Sequence, residues 1–242
     1  MDWVTLYIIA SLLLVPMFIY SVFASYNVDS VFNKFKDVHT SAGVTAAEFT
    51  QKLLKQANID NVTITKIGGN LTDCYDPRKK VVKLSASTYD STSISALGVC
   101  AHEVGHAVQD NRKMFLFRLR IFFVPIVNII NGLYIPLIFV GSILAFTFMI
   151  PTVGYYIVLG SVIAYGASLL FYFITLPLEY DASRRALAMM KEMNTFTETE
   201  LAQAKQVLKA AIQTYIAATL TSLIYFLRFL SYAMIFTSNK KK

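Results

Sequence analysis

Two histidines lie four residues apart in an apolar stretch near the middle of the chain. They are His102 and His106, and Glu103 directly follows the first of them. Side chains four residues apart project from the same face of an α-helix, so the two imidazoles can share a metal ion. Imidazole nitrogen is a common zinc ligand, and catalytic zinc sites keep one coordination position open. The spacing predicts one zinc ion per chain, bound on a helix over about residues 93–110.

Glu103 is placed to act as the base of such a site. It lies about 100° around the helix from His102, where it can reach a water at the metal without displacing it. Its predicted role is to take a proton from that water and then to protonate the departing amine. The alternative is an apolar helix that carries polar residues without a chemical role. The free-energy cost of burying unpaired polar groups argues against it.

The composition is that of a membrane protein. Of the 242 residues 55% are hydrophobic, and the mean hydropathy is +0.52, which is too apolar for an ordinary soluble domain. The basic residues lie beside apolar runs, as at cytoplasmic membrane flanks, and they predict contact with a lipid bilayer and no nucleic-acid partner. These residues are Lys34, Lys36, Arg112, Lys113, Arg118, Arg120, Arg184, Arg185 and Lys240 to Lys242.

The first apolar run, residues 4–23, is long enough to cross a bilayer once. A cleaved signal peptide is the alternative, but no Lys or Arg precedes the run. Asp2 on one side and Lys34 and Lys36 on the other place the N-terminus outside and the following segment in the cytoplasm.

Residues 27–120 form the predicted cytoplasmic catalytic part, a zincin-like domain that carries the two histidines. A capping box, Thr45 to Glu48, begins a helix over about 46–57. Alternation at 62–67 and at 81–84, around an Asp-Pro turn signal, predicts a small β-meander. An edge strand of that sheet could pair with an extended peptide substrate.

The remaining histidine and the two cysteines have less specific predictions. His39 lies in a polar segment and is predicted to be solvated or interfacial. Cys74 and Cys100 can form at most one disulfide and are predicted to be buried free thiols.

The long uncharged stretch after the catalytic part places the third zinc ligand. The 58 residues from Ile121 to Leu178 contain no charged side chain and fit two crossings, at 121–150 and 153–177. Two crossings return Glu179 to the compartment of the histidines. Segment 178–209 is then cytoplasmic and helical.

Glu179 is the predicted third ligand, because two histidines and one glutamate hold zinc in many proteases. A third histidine in an extended motif is excluded, since Gln109 and Arg112 occupy the decisive positions. The alternative role of Glu179 is an acidic side chain that complements a helix dipole.

The last apolar run, residues 210–237, either crosses the membrane or lies along its surface. Its length favours a crossing. Arg228 within the run and Lys240 to Lys242 after it favour the surface position. The fold class is thus a mainly α membrane protein with three or four transmembrane helices.

Three motifs resemble a known family. Segments 71–85, 93–109 and 176–187, in that order between apolar runs, are similar to the YugP-type neutral zinc metallopeptidases, which are bacterial multi-pass membrane proteins. The resemblance implies a zinc-dependent membrane peptidase that uses the residues assigned above. The chain departs from the pattern at Cys74, where the family usually has His. It departs again at Ser183, where related enzymes have an Asp that orients a histidine.

Other candidates for contact with the ligands or the substrate follow from residue type. The acid nearest to Glu179 is Asp181, which points away from it on a regular helix. Further candidates, including possible oxyanion stabilisers, are Ser183, Arg184, Asp73, Tyr75, Tyr89 and Tyr180.

The predicted function is a membrane-anchored zinc endopeptidase with its site at the cytoplasmic membrane surface. Its substrate would be a peptide or an unfolded protein segment. The alternatives are an intramembrane zinc protease and a non-catalytic metal-binding scaffold. The sequence makes no prediction of the oligomeric state.

Overall fold

A computed structural model describes residues 2–238, with the backbone alone for 236–238. The predicted basic cluster Lys240 to Lys242 lies outside the described residues. The described part contains, in chain order, α1 (Trp3–Phe35), α2 (Ala46–Gln56), β1 (Thr63–Ile67), β2 (Cys74–Asp76), β3 (Val81–Ser85), α3 (Ile94–Asn111), α4 (Phe115–Phe146), α5 (Pro151–Glu192) and α6 (Glu198–Ser238).

The chain divides into two compact units. The apolar unit consists of the residues up to Val22, Leu119–Leu176 and the chain from Tyr215 onward. The mixed unit consists of Phe23–Arg118 and Pro177–Thr214. It contains the sheet, α2 and α3, and all the residues predicted to bind zinc.

Four described helices, α1, α4, α5 and α6, are long and apolar enough to cross a membrane. Three of them extend well beyond the predicted spans. Helix α1 continues past residue 23 to Phe35, and α5 continues past residue 177, where the predicted crossing ends, to Glu192. Helix α6 begins at Glu198 and joins the end of the predicted helical segment 178–209 to the apolar run 210–237. Proline removes one backbone hydrogen bond, but long apolar helices tolerate that loss. Glu179 therefore lies within α5.

Arg228 has polar partners within the apolar unit. Its Nε donates to Ser11 Oγ at 3.1 Å, a terminal nitrogen donates to Tyr7 Oη at 3.3 Å, and the guanidinium lies over the Tyr7 ring. Ser11 and Tyr7 lie in the first turns of α1. These contacts reduce the cost that argues against a crossing by α6, because a paired charge is far less expensive than an isolated one.

The predicted β-meander is wrong. The three strands form a mixed sheet in the order β1-β3-β2, in which β1 pairs with β3 in parallel and β2 pairs with β3 antiparallel. Parallel pairing requires a crossover connection of about a dozen residues, which segment 68–80 supplies. The Asp-Pro turn joins β2 to β3, and β2 becomes an edge strand.

Helix α3 is held at its start by local hydrogen bonds. Ser93 caps it by accepting from the Ala96 N–H. His39 pairs with Ser93 in an isolated bridge, and its Nδ1 lies 2.8 Å from Thr92 Oγ1. The predicted capping box of Thr45 and Glu48 begins α2, which packs on α3. Helix α3 also packs against β2 and β3.

Candidate metal centre

The two histidines and the predicted glutamate lie together. His102 and His106 on α3 and Glu179 on α5 have their ligand atoms within 4.8 Å of one another. Glu179 Oε2 is 3.0 Å from His102 Nε2 and 3.4 Å from His106 Nε2. The two imidazole rings meet edge to face, with centroids 4.7 Å apart.

This donor set fits zinc. Ligand atoms about 2.0–2.2 Å from a tetrahedral ion lie about 3.3 Å apart, close to both separations from Glu179 Oε2. Two neutral imidazoles and one carboxylate leave a fourth position, as catalytic zinc sites require. Glu179 is completely buried, and a dication beside it would offset the cost of its buried charge.

Gly105 allows the two ligand-bearing helices to approach. A Cβ atom at residue 105 would lie 2.6 Å from the Ala182 carbonyl oxygen of α5. Ala182 comes three residues after Glu179 and shares its helix face. The absence of a side chain at Gly105 therefore sets the distance from which Glu179 reaches the two histidines.

Gly105→Ala is expected to lower both the thermal stability and the bound zinc. Overpacking costs about 1–3 kcal/mol, and here the clash is with backbone, so α5 must move and carry Glu179 away. Gly98→Ala on the same helix is the matched control. Its Cβ would lie 3.8 Å from that of Ala204, and the change removes a helix penalty of about 1 kcal/mol. The measurements are thermal midpoint and zinc per chain. Equal behaviour of the two variants would contradict the packing role of Gly105.

Glu103 is buried beside the cluster and held by the sheet. Its Oε2 accepts a 2.7 Å hydrogen bond from the backbone N–H of Tyr75 in β2. Burial raises the pKa of Glu103 to about 7; the adjacent His102 lowers it, Glu179 raises it, and the Tyr75 N–H lowers it. A carboxyl group with a pKa near neutrality can both take up and release a proton at physiological pH.

Each histidine is also contacted on its Nδ1 side. His102 Nδ1 lies 3.2 Å from Ser183 Oγ. His106 Nδ1 lies 2.9 Å from Gln109 Oε1, and Gln109 Nε2 donates to Asp181 Oδ2. Asp181 is therefore linked to the second histidine through Gln109.

Tyr75 has a structural position next to the site. Its hydroxyl donates to Asp110 Oδ2 at 2.7 Å, and Lys80 Nζ donates to the same oxygen. Burial, followed by the bond to Asp110, raises the pKa of Tyr75. The Phe117 ring is tilted against both the Tyr75 and the His106 rings, with centroids 6.5 Å and 6.0 Å away. In this arrangement the Tyr75 hydroxyl directs its proton at Asp110.

The other candidates have the following contacts and exposure. Asp73 accepts from the Ser85 N–H and fixes the start of β2. Tyr89 lies under the Lys66 ammonium. Tyr180 is exposed, and Arg184, with 72% of its side chain exposed, pairs with Asp181.

The prediction of two buried thiols is half wrong. Both cysteines are free, and Cys100 is buried, but Cys74 is exposed on the edge strand β2. Partial burial, then the nearby Glu103 carboxylate, raises the pKa of Cys74.

Two residues with clear positions at the site, Gly105 and Gln109, were not predicted. The signal for Gln109 is its spacing: a polar residue three positions after His106 on a buried helix can contact it. The signal for Gly105 is a glycine inside a helix, which costs stability and usually has a packing reason.

Comparison with known proteins agrees with the motifs. A model of the family described as "Putative neutral zinc metallopeptidase" matches residues 10–234. The chain belongs to this family. The resemblance inferred from the three motifs is therefore confirmed, and the family's name supports zinc as the metal of the cluster.

One curated relative covers nearly the whole chain. It is the "Putative membrane protease YugP" of Bacillus subtilis (strain 168), 36% identical over 220 residues, which are 91% of this chain and 93% of the relative. No solved structure matches the chain. The relative's name and the four candidate spans agree with the prediction of a membrane protein.

Proposed function

We propose that the protein is a membrane-anchored zinc endopeptidase in which His102, His106 and Glu179 bind the zinc and Glu103 is the general base. The observation that carries this proposal is the convergence of the three ligand atoms from α3 and α5. Glu103, buried and raised in pKa, lies beside them. Membership of the zinc metallopeptidase family supports the same chemistry.

Each residue of the site has a separate role in the proposed hydrolysis. Zinc, when bound, acidifies a coordinated water and polarises the peptide carbonyl. Glu103 accepts the proton from the water and delivers it to the departing amine nitrogen, which requires one group to work in both directions. The Tyr75 N–H holds the Glu103 carboxylate in position for both transfers. Ser183 and Gln109 contact Nδ1 of His102 and His106 and so hold the planes of the two imidazole rings.

The proposed substrate is an extended segment of a peptide or unfolded protein. Strand β2 is an edge of the sheet, and its Tyr75 N–H already contacts Glu103. A peptide that runs alongside β2 would add a strand by β-augmentation, which uses backbone hydrogen bonds and suits many sequences. Such a strand would lie beside the base and the cluster.

We place the site at the cytoplasmic membrane surface rather than within the bilayer. Helix α3 is not one of the four described helices apolar enough to cross. It ends at an ion pair of Asp110 with Lys80. The basic residues that follow α3 favour the cytoplasmic side by the positive-inside rule.

The exposed Cys74 can report the side of the membrane. A membrane-impermeant maleimide is expected to label inside-out vesicles and to leave right-side-out vesicles unlabelled, because Cys74 lies beside the site. Cys100 will not react, since it is buried and its pKa is raised to about 12 by burial. Cys74→Ser is the control for label at other positions. Labelling of right-side-out vesicles alone would contradict the cytoplasmic placement.

The test of the proposed function is cleavage of an unfolded reporter protein by the purified chain in detergent. Cleavage should require zinc and should be lost in the Glu103→Gln variant.

A further inference from the structure

Gln109 is a completely buried amide between the metal cluster and α5. It lies one helical turn after His106, and its side chain makes three contacts. Oε1 lies 2.9 Å from His106 Nδ1. Nε2 lies 2.8 Å from the Leu178 carbonyl oxygen and 3.0 Å from Asp181 Oδ2.

These contacts determine which way the Gln109 amide faces. The Leu178 carbonyl can only accept a hydrogen bond, and the Asp181 carboxylate is held by Arg184 and Arg185. The amide nitrogen, with its two hydrogens, must therefore point at Leu178 and Asp181. The amide oxygen, which can only accept, is then left facing His106.

The orientation of Gln109 determines the tautomer of His106. An acceptor opposite Nδ1 requires a hydrogen on Nδ1, which leaves the lone pair on Nε2. Nε2 is the nitrogen that lies 3.4 Å from Glu179 Oε2 within the cluster. The opposite tautomer would direct an N–H at the position of the metal.

His102 has no equivalent constraint on its Nδ1 side. That nitrogen faces the Ser183 hydroxyl at 3.2 Å, and a hydroxyl can either donate or accept. Its Nε2 lies 3.0 Å from Glu179 Oε2. The two histidines therefore differ at Nδ1: the partner of His106 selects a tautomer, and the partner of His102 accommodates both.

We propose that Gln109, supported by Leu178 and Asp181, is a positioning residue that selects the metal-binding tautomer of His106 before any metal arrives. This inference rests on the proposed function, because it assigns His106 as a ligand. It adds that the site is preorganised by a neutral amide, where a carboxylate or backbone carbonyl is the commoner partner of a ligand histidine.

The direct test is a two-bond proton–nitrogen correlation spectrum of metal-free protein with ¹⁵N-labelled histidine, recorded at about pH 8, above the ordinary pKa of a free imidazole. With three histidines in the chain, His→Gln variants assign each signal. The wild-type His106 is expected to show the Nδ1–H pattern alone. An Nε2–H pattern for His106 in the wild type would overturn the inference, and no Gln109 variant would be needed to decide it.

Gln109→Met tests the same point by removal, because it keeps the length of the side chain and removes the amide. His106 should shift towards the Nε2–H form while His102 keeps its wild-type signal. Zinc affinity, measured by chelator competition, should fall by about 10–100-fold, as for other lost outer partners. An unchanged His106 tautomer together with unchanged zinc affinity would overturn the inference.

Asp181→Asn is the matched variant, since its amide oxygen can still accept from Gln109 and Leu178 is untouched. It should keep the His106 tautomer, and a switch to Nε2–H in this variant would contradict the assigned orientation of Gln109.

The proposed peptidase activity and the proposed role of Gln109 can be refuted independently. A protein that binds zinc and cleaves no peptide refutes the proposed peptidase and leaves the tautomer assignment standing. An Nε2–H form of wild-type His106 refutes only the role of Gln109.

Discussion

Glu103→Gln is expected to lower peptide hydrolysis by at least about a hundredfold while zinc remains bound, since positioned proton transfer contributes about 10²–10⁴ in rate. Glutamine has the same shape and keeps an oxygen that can accept the Tyr75 N–H, which contacts the carboxylate at 2.7 Å. It cannot take up a proton at neutral pH. The loss should therefore appear in the catalytic step alone.

The measurements for Glu103→Gln are the rate of reporter cleavage and the zinc content of the same preparation. Glu198→Gln is the matched control, because it makes the same change at an exposed position in the first turn of α6. It should keep wild-type activity. Wild-type cleavage by Glu103→Gln would contradict the assigned base, whatever the zinc content.

Glu179→Gln is expected to lower the affinity for zinc, because a ligand atom itself is replaced. The loss should exceed the about 10–100-fold that follows removal of a residue contacting a ligand from outside. An amide oxygen carries no charge and is a poor substitute for the carboxylate next to two imidazoles. Activity should fall together with zinc content, which distinguishes this variant from Glu103→Gln.

The same Glu179 substitution should lower zinc content without lowering the stability of the metal-free protein. Glu179 is completely buried, and a buried carboxylate costs free energy when no metal offsets it. The metal-free Glu179→Gln protein should therefore be at least as stable as the metal-free wild type. Glu192→Gln, at the exposed end of the same helix, is the control and should retain zinc. A fully zinc-loaded Glu179→Gln protein would show that the third ligand lies elsewhere.

The cluster of His102, His106 and Glu179 could be predicted because each step followed a simple physical rule. The spacing of His102 and His106 fixes a common helix face, whatever surrounds the helix. Counting uncharged residues against bilayer thickness returned Glu179 to the same compartment. Neither step requires knowledge of packing.

The features that could not be predicted depend on packing between distant segments. The parallel pairing of β1 with β3 is not visible in the alternation of either strand, and a turn signal between them favoured a meander. The continuity of α5 through Pro177 depends on whether the surrounding structure tolerates a lost backbone hydrogen bond. On the sequence alone, Gln109 served only to exclude a third histidine. Its contact with Asp181 appears once α3 and α5 are packed together.

Gly105 and Cys74 illustrate the same limit. The sequence places a glycine between the two histidines, but only the packed structure puts the Ala182 carbonyl where a Cβ would lie. Cys74 was expected to be buried because free cysteines usually are. Its place on the edge strand β2 exposes it instead.

The most direct test of the central claim compares wild type, Glu103→Gln and Glu179→Gln, purified in the same detergent, for zinc per chain and for cleavage of one unfolded reporter. The zinc peptidase described above predicts zinc and cleavage in the wild type, zinc without cleavage in Glu103→Gln, and neither in Glu179→Gln. Cleavage by Glu103→Gln at the wild-type rate, or a zinc-loaded wild type that cleaves nothing, would contradict it.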